Sequence, residues 1–455
     1  DSITSTARSD NNDDGSSGSS TSKRPSIDRI YEYNMVPLDA VLNSRRIADN
    51  MAKCGYGKEC VQIYTFIRKS VVERSLYNLG VEKAISNDIR KMDWQVVDVK
   101  IKKWIYAANI SIRILFAREK RLCDEVFHGV DKMRDFCFAE IAKESTSRLL
   151  TFAEAIAATC RAPQMIFRVL DVYETVTYFL PDIKATYSHD LCRTVQEQAD
   201  EIVVRLGEAV WCILTEFENA IKMENSIVPI AGGTVHPLAR YVMNYLTFLS
   251  DYKEALIKPS TDTPGELPTV LPDNIALDNC PGRLSTRIST RFGWIIFFLV
   301  SKLEARSDLY DDVALSHLFL MNNLHYIVQK VKDCELKCVL GEKWLKTQRN
   351  TVRQCAGDYE KAVWKNVLSS ITEEGGVSSG EALKEKLKGF NLAMEEATRR
   401  HGGWVVPDAT LREKVGKSIL DMVLPAYRIF LARFKNRYES YIKYTPEELQ
   451  ELLRN

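Results

Sequence analysis

The stretch Val97-Asp98-Val99-Lys100-Ile101-Lys102-Lys103-Trp104-Ile105-Tyr106-Ala107-Ala108-Asn109-Ile110-Ser111-Ile112-Arg113-Ile114-Leu115 decides the fold class. Its apolar residues Val97, Ile101, Trp104, Ile105, Ala108, Ile112 and Leu115 recur at i, i+4, i+7 and i+8, the spacing of one helix face. Leu320, Leu324, Ile327, Val331, Cys334 and Cys338 form a second stripe of the same kind. Sustained period-two alternation is missing, and no Asn-Gly or Asp-Gly turn joins two β-branched runs, so strands are not expected. The pattern reads as all-α, with helices often of about 20 residues or more. Long helices with few sharp breaks imply an elongated rod of stacked antiparallel helical bundles, each burying its own stripe. No fixed repeat period supports a HEAT, armadillo or tetratricopeptide array.

The breaks in this pattern divide the chain. Residues 1–25 are Ser, Asp, Asn, Gly and Thr with almost no hydrophobes, and are expected to be disordered because they bury too little to offset ordering entropy. Helical bundles are expected over 26–205, then a middle bundle over 206–300, a third over 301–400 and a basic C-terminal bundle over 401–455. The middle bundle carries a proline-rich loop at 259–283, where Pro259, Pro264, Pro268, Pro272 and Pro281 forbid continuous helix. Gly375-Gly376-Val377-Ser378-Ser379-Gly380 is a shorter break. The chain begins at Asp1, not Met, and is expected to be a fragment of a longer protein.

Composition narrows the function. Lys+Arg number 62 and Asp+Glu 61 among 455 residues, a net charge of +1, which is unlike a general nucleic-acid binder. The longest uncharged apolar run, Phe292 to Val300, is shorter than the roughly 20 residues a membrane span needs, and reads as a buried helix. Eleven scattered cysteines fit reduced thiols in the cytosol.

Motifs that carry chemistry fail one by one. Gly416-Lys417-Ser418 resembles the end of a phosphate-binding loop, but Leu411 stands where the first glycine belongs, so a solvated helix face is expected. Cys334 and Cys338 lack the second ligand pair of a zinc site and read as core. Asp311-Asp312 lacks a third carboxylate at Leu315 and reads as a surface pair. Gly232-Gly233-Thr234-Val235-His236-Pro237 reads as a helix start, with Thr234 or His236 as cap and Pro237 in the first turn, for a helix reaching about Ala255. The six histidines show no H-E-x-x-H pair, and no nucleophile elbow is present. No catalytic residue, metal ligand or cofactor is therefore assigned.

The C-terminal segment stands apart. Between Arg412 and Lys443 there are eight basic residues against three acidic ones, a local excess of positive charge in a neutral chain. Such a cluster is a candidate surface for phosphoinositide headgroups, at about 1 kcal/mol per basic residue near an anionic leaflet. Its bland alternative is a helix face solvated by Lys and Arg.

Several segments together resemble the seventy-kilodalton exocyst subunit (Exo-seventy) family in its plant form. They include Gly55-Tyr56-Gly57-Lys58-Glu59-Cys60, Lys120-Arg121-Leu122-Cys123 and Gly232-Gly233-Thr234-Val235-His236-Pro237-Leu238. Met321-Asn322-Asn323-Leu324-His325-Tyr326-Ile327, Val352-Arg353-Gln354, Trp404-Val405-Val406-Pro407-Asp408 and Tyr441-Ile442-Lys443-Tyr444 complete the set. The resemblance implies a non-enzymatic subunit of a vesicle-tethering complex that acts in exocytosis. It implies a cytoplasmic protein, peripheral at the inner face of the plasma membrane, with contacts to other exocyst subunits and small GTPases. It also implies phosphoinositide binding at the C-terminal end, carried over to Lys443, Arg433, Lys435, Arg437 and Arg428. Of the family's basic pair around tyrosine-isoleucine, Lys443 keeps the second position and Ser440 stands at the first. A coiled-coil region normally precedes the part matched here. The alternative is a diverged interaction hub in plant immunity, bound by pathogen effector proteins or immune receptors, with weakened lipid binding.

Overall fold

In the sequence that decides the fold class, the inward face is buried as the periodicity predicts: Ile101 and Ala108 are fully enclosed, and Val97, Trp104, Ile112 and Leu115 nearly so. The computed structural model describes residues 36–81, 89, 92–226, 228–257, 283–372, 380–432 and 442–453, among which every regular element is helical. The expectations for residues 1–25, for nearly all of the proline-rich loop 259–283, and for the Gly375 break lie outside the described residues.

The described helices are α1 (Leu38–Lys53), α2 (Gly57–Asn78), α3 (Trp94–Ile110), α4 (Ala117–Val126), α5 (Asp131–Thr159), α6 (Ile166–Thr186) and α7 (Arg193–Met223). They continue with α8 (Pro237–Ser250), α9 (Lys253–Ile257), α10 (Arg283–Ser307), α11 (Val313–Lys332), α12 (Leu336–Ile371), α13 (Gly380–His401), α14 (Ala409–Leu431) and α15 (Pro446–Leu452). A π-helical segment, Ser111–Phe116, joins α3 to α4 without a break in the helix. Its wider turn lets Ile112, Leu115 and Phe116 all face inward.

The described residues divide into two compact units, one within 1–87, 99–151 and 179–198, the other within 88–98, 152–178 and 199–455. In the first, Phe116, Phe127, Phe138 and Tyr187 supply the bulk of the core. Two polar ties fix their neighbours: Trp104 Nε1 donates to the Leu149 carbonyl at 3.0 Å, and the buried Thr146 and Tyr187 hydroxyls bond each other. The Arg68 guanidinium grips the buried Glu119 carboxylate with two nitrogens, the geometry that makes such a pair tolerable away from water.

The second unit buries Phe217, Phe292, Phe319, Trp344, Phe390 and Phe430. In the longest apolar run, which lies in α10 as a helix, Phe292, Ile295, Ile296 and Leu299 are buried, while Trp294, Phe297, Phe298 and Val300 are partly exposed. At the centre of this unit three loop and helix segments are tied by a buried polar knot. Asn322 Nδ2 donates to the Gly233 carbonyl at 2.7 Å and to the Val405 carbonyl at 2.9 Å. Asn323 Oδ1 accepts from the His236 amide at 2.8 Å, while its Nδ2 donates to the Phe319 and Thr234 carbonyls. The Val405 amide donates to the Gly232 carbonyl at 3.0 Å, closing the knot. Tyr310 adds a reciprocal pair with the backbone of Ile230, at 2.8 and 3.0 Å.

Gly232 and Gly233 have φ of 70° and 66°, a left-handed backbone that side chains strain. A Cβ on Gly232 would lie 2.9 Å from the Gly403 carbonyl, a second reason for glycine there. His236 is the cap of α8, accepting from the Leu238 amide at 3.0 Å, with Pro237 in the first turn. That helix ends at Ser250 and a separate short helix, α9, follows, so the single helix expected to reach about Ala255 is broken near Asp251.

Gly232→Ala is expected to destabilise by about 1–3 kcal/mol through backbone strain. Asn322→Ala, which strips two carbonyls of their donor, should cost about 2–4 kcal/mol. Both should appear as lower urea midpoints at unchanged slope.

Candidate functional site

The basic C-terminal segment is built on α14, whose N-cap Asp408 accepts from the Leu411 amide at 2.7 Å. Leu411, Val415, Ile419, Val423, Tyr427 and Phe430 form its buried stripe, which leaves Arg412, Lys414, Lys417 and Arg428 exposed. Tyr427 reaches from that stripe to donate to the Tyr444 carbonyl at 2.7 Å, anchoring the chain as it returns. Thr445 and Glu448 then form a capping box that starts α15, and Leu449 packs fully buried. Gly416-Lys417-Ser418 lies in the middle of α14, so it is a helix face, not a phosphate loop.

Of the five residues assigned to phosphoinositides, two are described. Arg428 is exposed in the last turn of α14, where a cation also complements the helix dipole. Lys443 is half exposed, and its ammonium pairs with the Glu395 carboxylate of α13 and lies 5.6 Å from the centre of the Tyr444 ring. The Glu395 bond raises the Lys443 pKa, which keeps it charged. Arg433, Lys435, Arg437 and Ser440 lie outside the described residues.

A cleft of about 460 Å³ opens beside this segment, between α11, α12 and α14. Each helix offers it one face. His325, Val328, Gln329 and Lys332 come from α11, Arg349, Val352, Arg353, Ala356 and Glu360 from α12, and Leu411, Lys414 and Val415 from α14. The spacing is i, i+3, i+4 in every case, so the sequence alone fixes which side chains share a face. Four cations thus rim an apolar floor, with Glu360 as the one carboxylate among these lining residues. The Ser418 hydroxyl donates to Glu360 at 2.9 Å, and burial pushes the Glu360 carboxyl up from its ordinary pKa.

His325 is one of the residues that line the cleft. Its Nε2 lies 3.2 Å from Asp408 Oδ1 and 3.3 Å from the Gln329 side-chain amide. Burial depresses its pKa; Asp408 opposes that shift and Lys414 reinforces it. Sequence reasoning counted Lys414 but passed over Lys332 and Arg349, whose signal is basic residues recurring beside apolar ones at helical spacing on separate helices.

Two further expectations are corrected. Cys334 and Cys338 do not share one stripe: α11 ends at Lys332, Cys334 sits in the turn donating to the Lys330 carbonyl, and Cys338 is exposed on α12. Asp311-Asp312 is more than a surface pair, because Asp312 caps α11 by accepting from the Ala314 and Leu315 amides. Among the described residues no group of His, Cys, Asp or Glu is placed to hold a metal ion, and no helix is long and apolar enough to cross a membrane.

His325 binds its proton less readily folded than unfolded, so the unfolded chain takes up more protons as pH falls below about 6.5. Stability is expected to be complete above that pH and to be lost progressively below it. Chemical denaturation between pH 7.5 and pH 5, with pH values chosen to span about one unit either side of the unfolded histidine pKa, should show a smaller loss in His325→Gln than in the parent. Gly416→Ala places a methyl 3.5 Å from the Leu453 carbonyl, an ordinary contact. It should therefore stabilise by about 0.5–1 kcal/mol, as a mid-helix glycine replacement does, read by thermal melting.

A family model for the C-terminal part of the Exo70 exocyst complex subunit matches residues 102–455. The chain is similar to the exocyst complex component EXO70B1 of Arabidopsis thaliana, 35% identical over 440 residues that make up 94% of this chain and 68% of that protein. It is similar also to EXO70A1 of the same plant, 36% identical over 427 residues, 90% of this chain and 65% of that protein. The chain spans about two thirds of the length of these curated relatives. Its fold resembles a solved structure of S. cerevisiae Exo70, with a TM-score of 0.63 at 16% identity, covering 94% of this chain and 82% of that one. At that identity the likeness speaks for the fold.

Proposed function

The chain belongs to the Exo70 family of exocyst complex subunits, and on that premise we propose that it serves a vesicle-tethering complex by docking on an anionic membrane surface through its basic C-terminal end. Family members are structural components of that complex, and the chain is not an enzyme. Other exocyst subunits are its principal partners in this reading, with small GTPases as further ones, at the cytoplasmic face of the plasma membrane.

The observation that carries the proposal is the family match, which runs through the basic segment to the end of the chain. Arg428 and Lys443 supply exposed positive charge there, with Arg433, Lys435 and Arg437 between them in the sequence. Lys443 is engaged by Glu395, yet an exposed ion pair is worth about 0–1 kcal/mol, so a phosphate can displace the carboxylate.

That same pair favours a second reading. With Lys443 neutralised locally and Ser440 in place of a basic residue, lipid affinity is lowered, and the chain acts chiefly as an interaction hub, bound by pathogen effectors or immune receptors.

Flotation with vesicles containing phosphatidylinositol bisphosphate separates the two. Under the tether reading, replacing Lys443, Arg433, Lys435 and Arg437 together by Ala abolishes flotation at physiological salt, at about 1 kcal/mol per charge. Glu395→Gln, which frees Lys443, should raise binding by up to about fivefold. Both effects shrink as added salt shortens the Debye length from about 8 Å. A parent protein that never floats but binds a folded partner supports the hub.

A further inference from the structure

We propose that the cleft between α11, α12 and α14 is a docking groove for a partner segment in which a large apolar side chain is flanked by carboxylates within one helical turn. The inference concerns the lining of the cleft and none of the five residues assigned to phosphoinositides; of its cations, Lys414 alone also belongs to the basic C-terminal segment.

Charge is the first argument. Lys332, Arg349 and Lys414 reach the cleft from three separate helices, and among the described residues none of them has a carboxylate partner. Cations brought together from three elements repel one another, so they are set for an incoming anion. Glu360 does not cancel them, because it is turned to the Ser418 hydroxyl. Arg353 donates to the side-chain oxygen of Asn350 at 2.8 Å, an uncharged acceptor that does not offset its positive charge.

The floor is the second argument. Between the cations lie Val328, Val352, Ala356, Leu411 and Val415, so the rim is polar and the base apolar. An inositol phosphate would satisfy the rim but leave that base wet, because it has no apolar body. A peptide with one large apolar side chain fills the base while its acidic residues meet the rim. This division of labour is the way a helix is recognised in a groove. The volume, about 460 Å³, falls within the range of clefts that enclose a compact ligand.

A displayed library of short random peptides, selected on the full chain, tests the assignment. Enriched peptides are expected to place Asp or Glu three or four positions from Leu, Phe or Trp. By fluorescence anisotropy, Arg353→Glu with Lys414→Glu should weaken the selected peptide about tenfold or more, the scale of effect that juxtaposed like charges produce at an interface. Lys443→Ala should leave its affinity unchanged. Arg353 and Lys414 are exposed, and the milder pair Arg353→Gln and Lys414→Gln serves as a second, fold-preserving test with a smaller loss in the same direction. The assignment is overturned if no peptide is enriched, if the enriched peptides lack carboxylates, or if the charge reversals do not alter their binding. It is overturned also if phosphoinositide vesicles displace the peptide and the same reversals abolish vesicle binding, which would make the cleft a headgroup site.

Discussion

The second unit depends on the two amides of Asn322 and Asn323. They sit on one helix, α11, yet every bond they make off that helix goes to backbone, in the segments around Gly233, His236 and Val405. Buried carbonyls and amides in irregular chain have no helical partner of their own, so each must find one elsewhere. A pair of adjacent carboxamides answers for several at once, because each offers both donors and an acceptor. The two left-handed glycines are the complementary requirement, since they bend the chain so that those backbone groups point at α11.

Much of this was legible in the sequence, though not for the same reasons. Helix class followed from apolar spacing, and His236 and Pro237 were readable as a helix start from their chemistry. The knot was not readable, because nothing local tells Asn322 that its partners lie about 90 positions upstream and 80 downstream. What the sequence did provide was several separate segments that resembled one family, three of which belong together here. The structure makes them one site: the glycine-histidine-proline, asparagine-asparagine and tryptophan-valine-valine segments all meet there. In this chain they share one structural role, the polar knot.

The misreadings have equally specific causes. Extending the α11 stripe to Cys334 and Cys338 assumed that a helical period continues where the chain turns at Asp333. Asp312 passed for a surface carboxylate because a cap looks, in one dimension, like any acidic residue before an apolar run. The cleft cations were invisible as a group for a different reason. Each lies on its own amphipathic helix as an ordinary polar-face residue, and only packing gathers them.

The six residues of wide turn at Ser111–Phe116 carry a consequence for chain length. A π turn spends about one residue more than an α turn on the same rotation, so the chain carries an extra residue here while the helices on either side stay in phase. Removing one residue there would let the turn close to α geometry with the later side chains still facing as they do, whereas removing one from the α-helical stretch of α4 would swing those beyond it about the axis by about 100°. The core beyond that second cut would then face the wrong way. The wide turn is in this sense slack built into the helix, a place where length can change by one residue without turning the core beyond it.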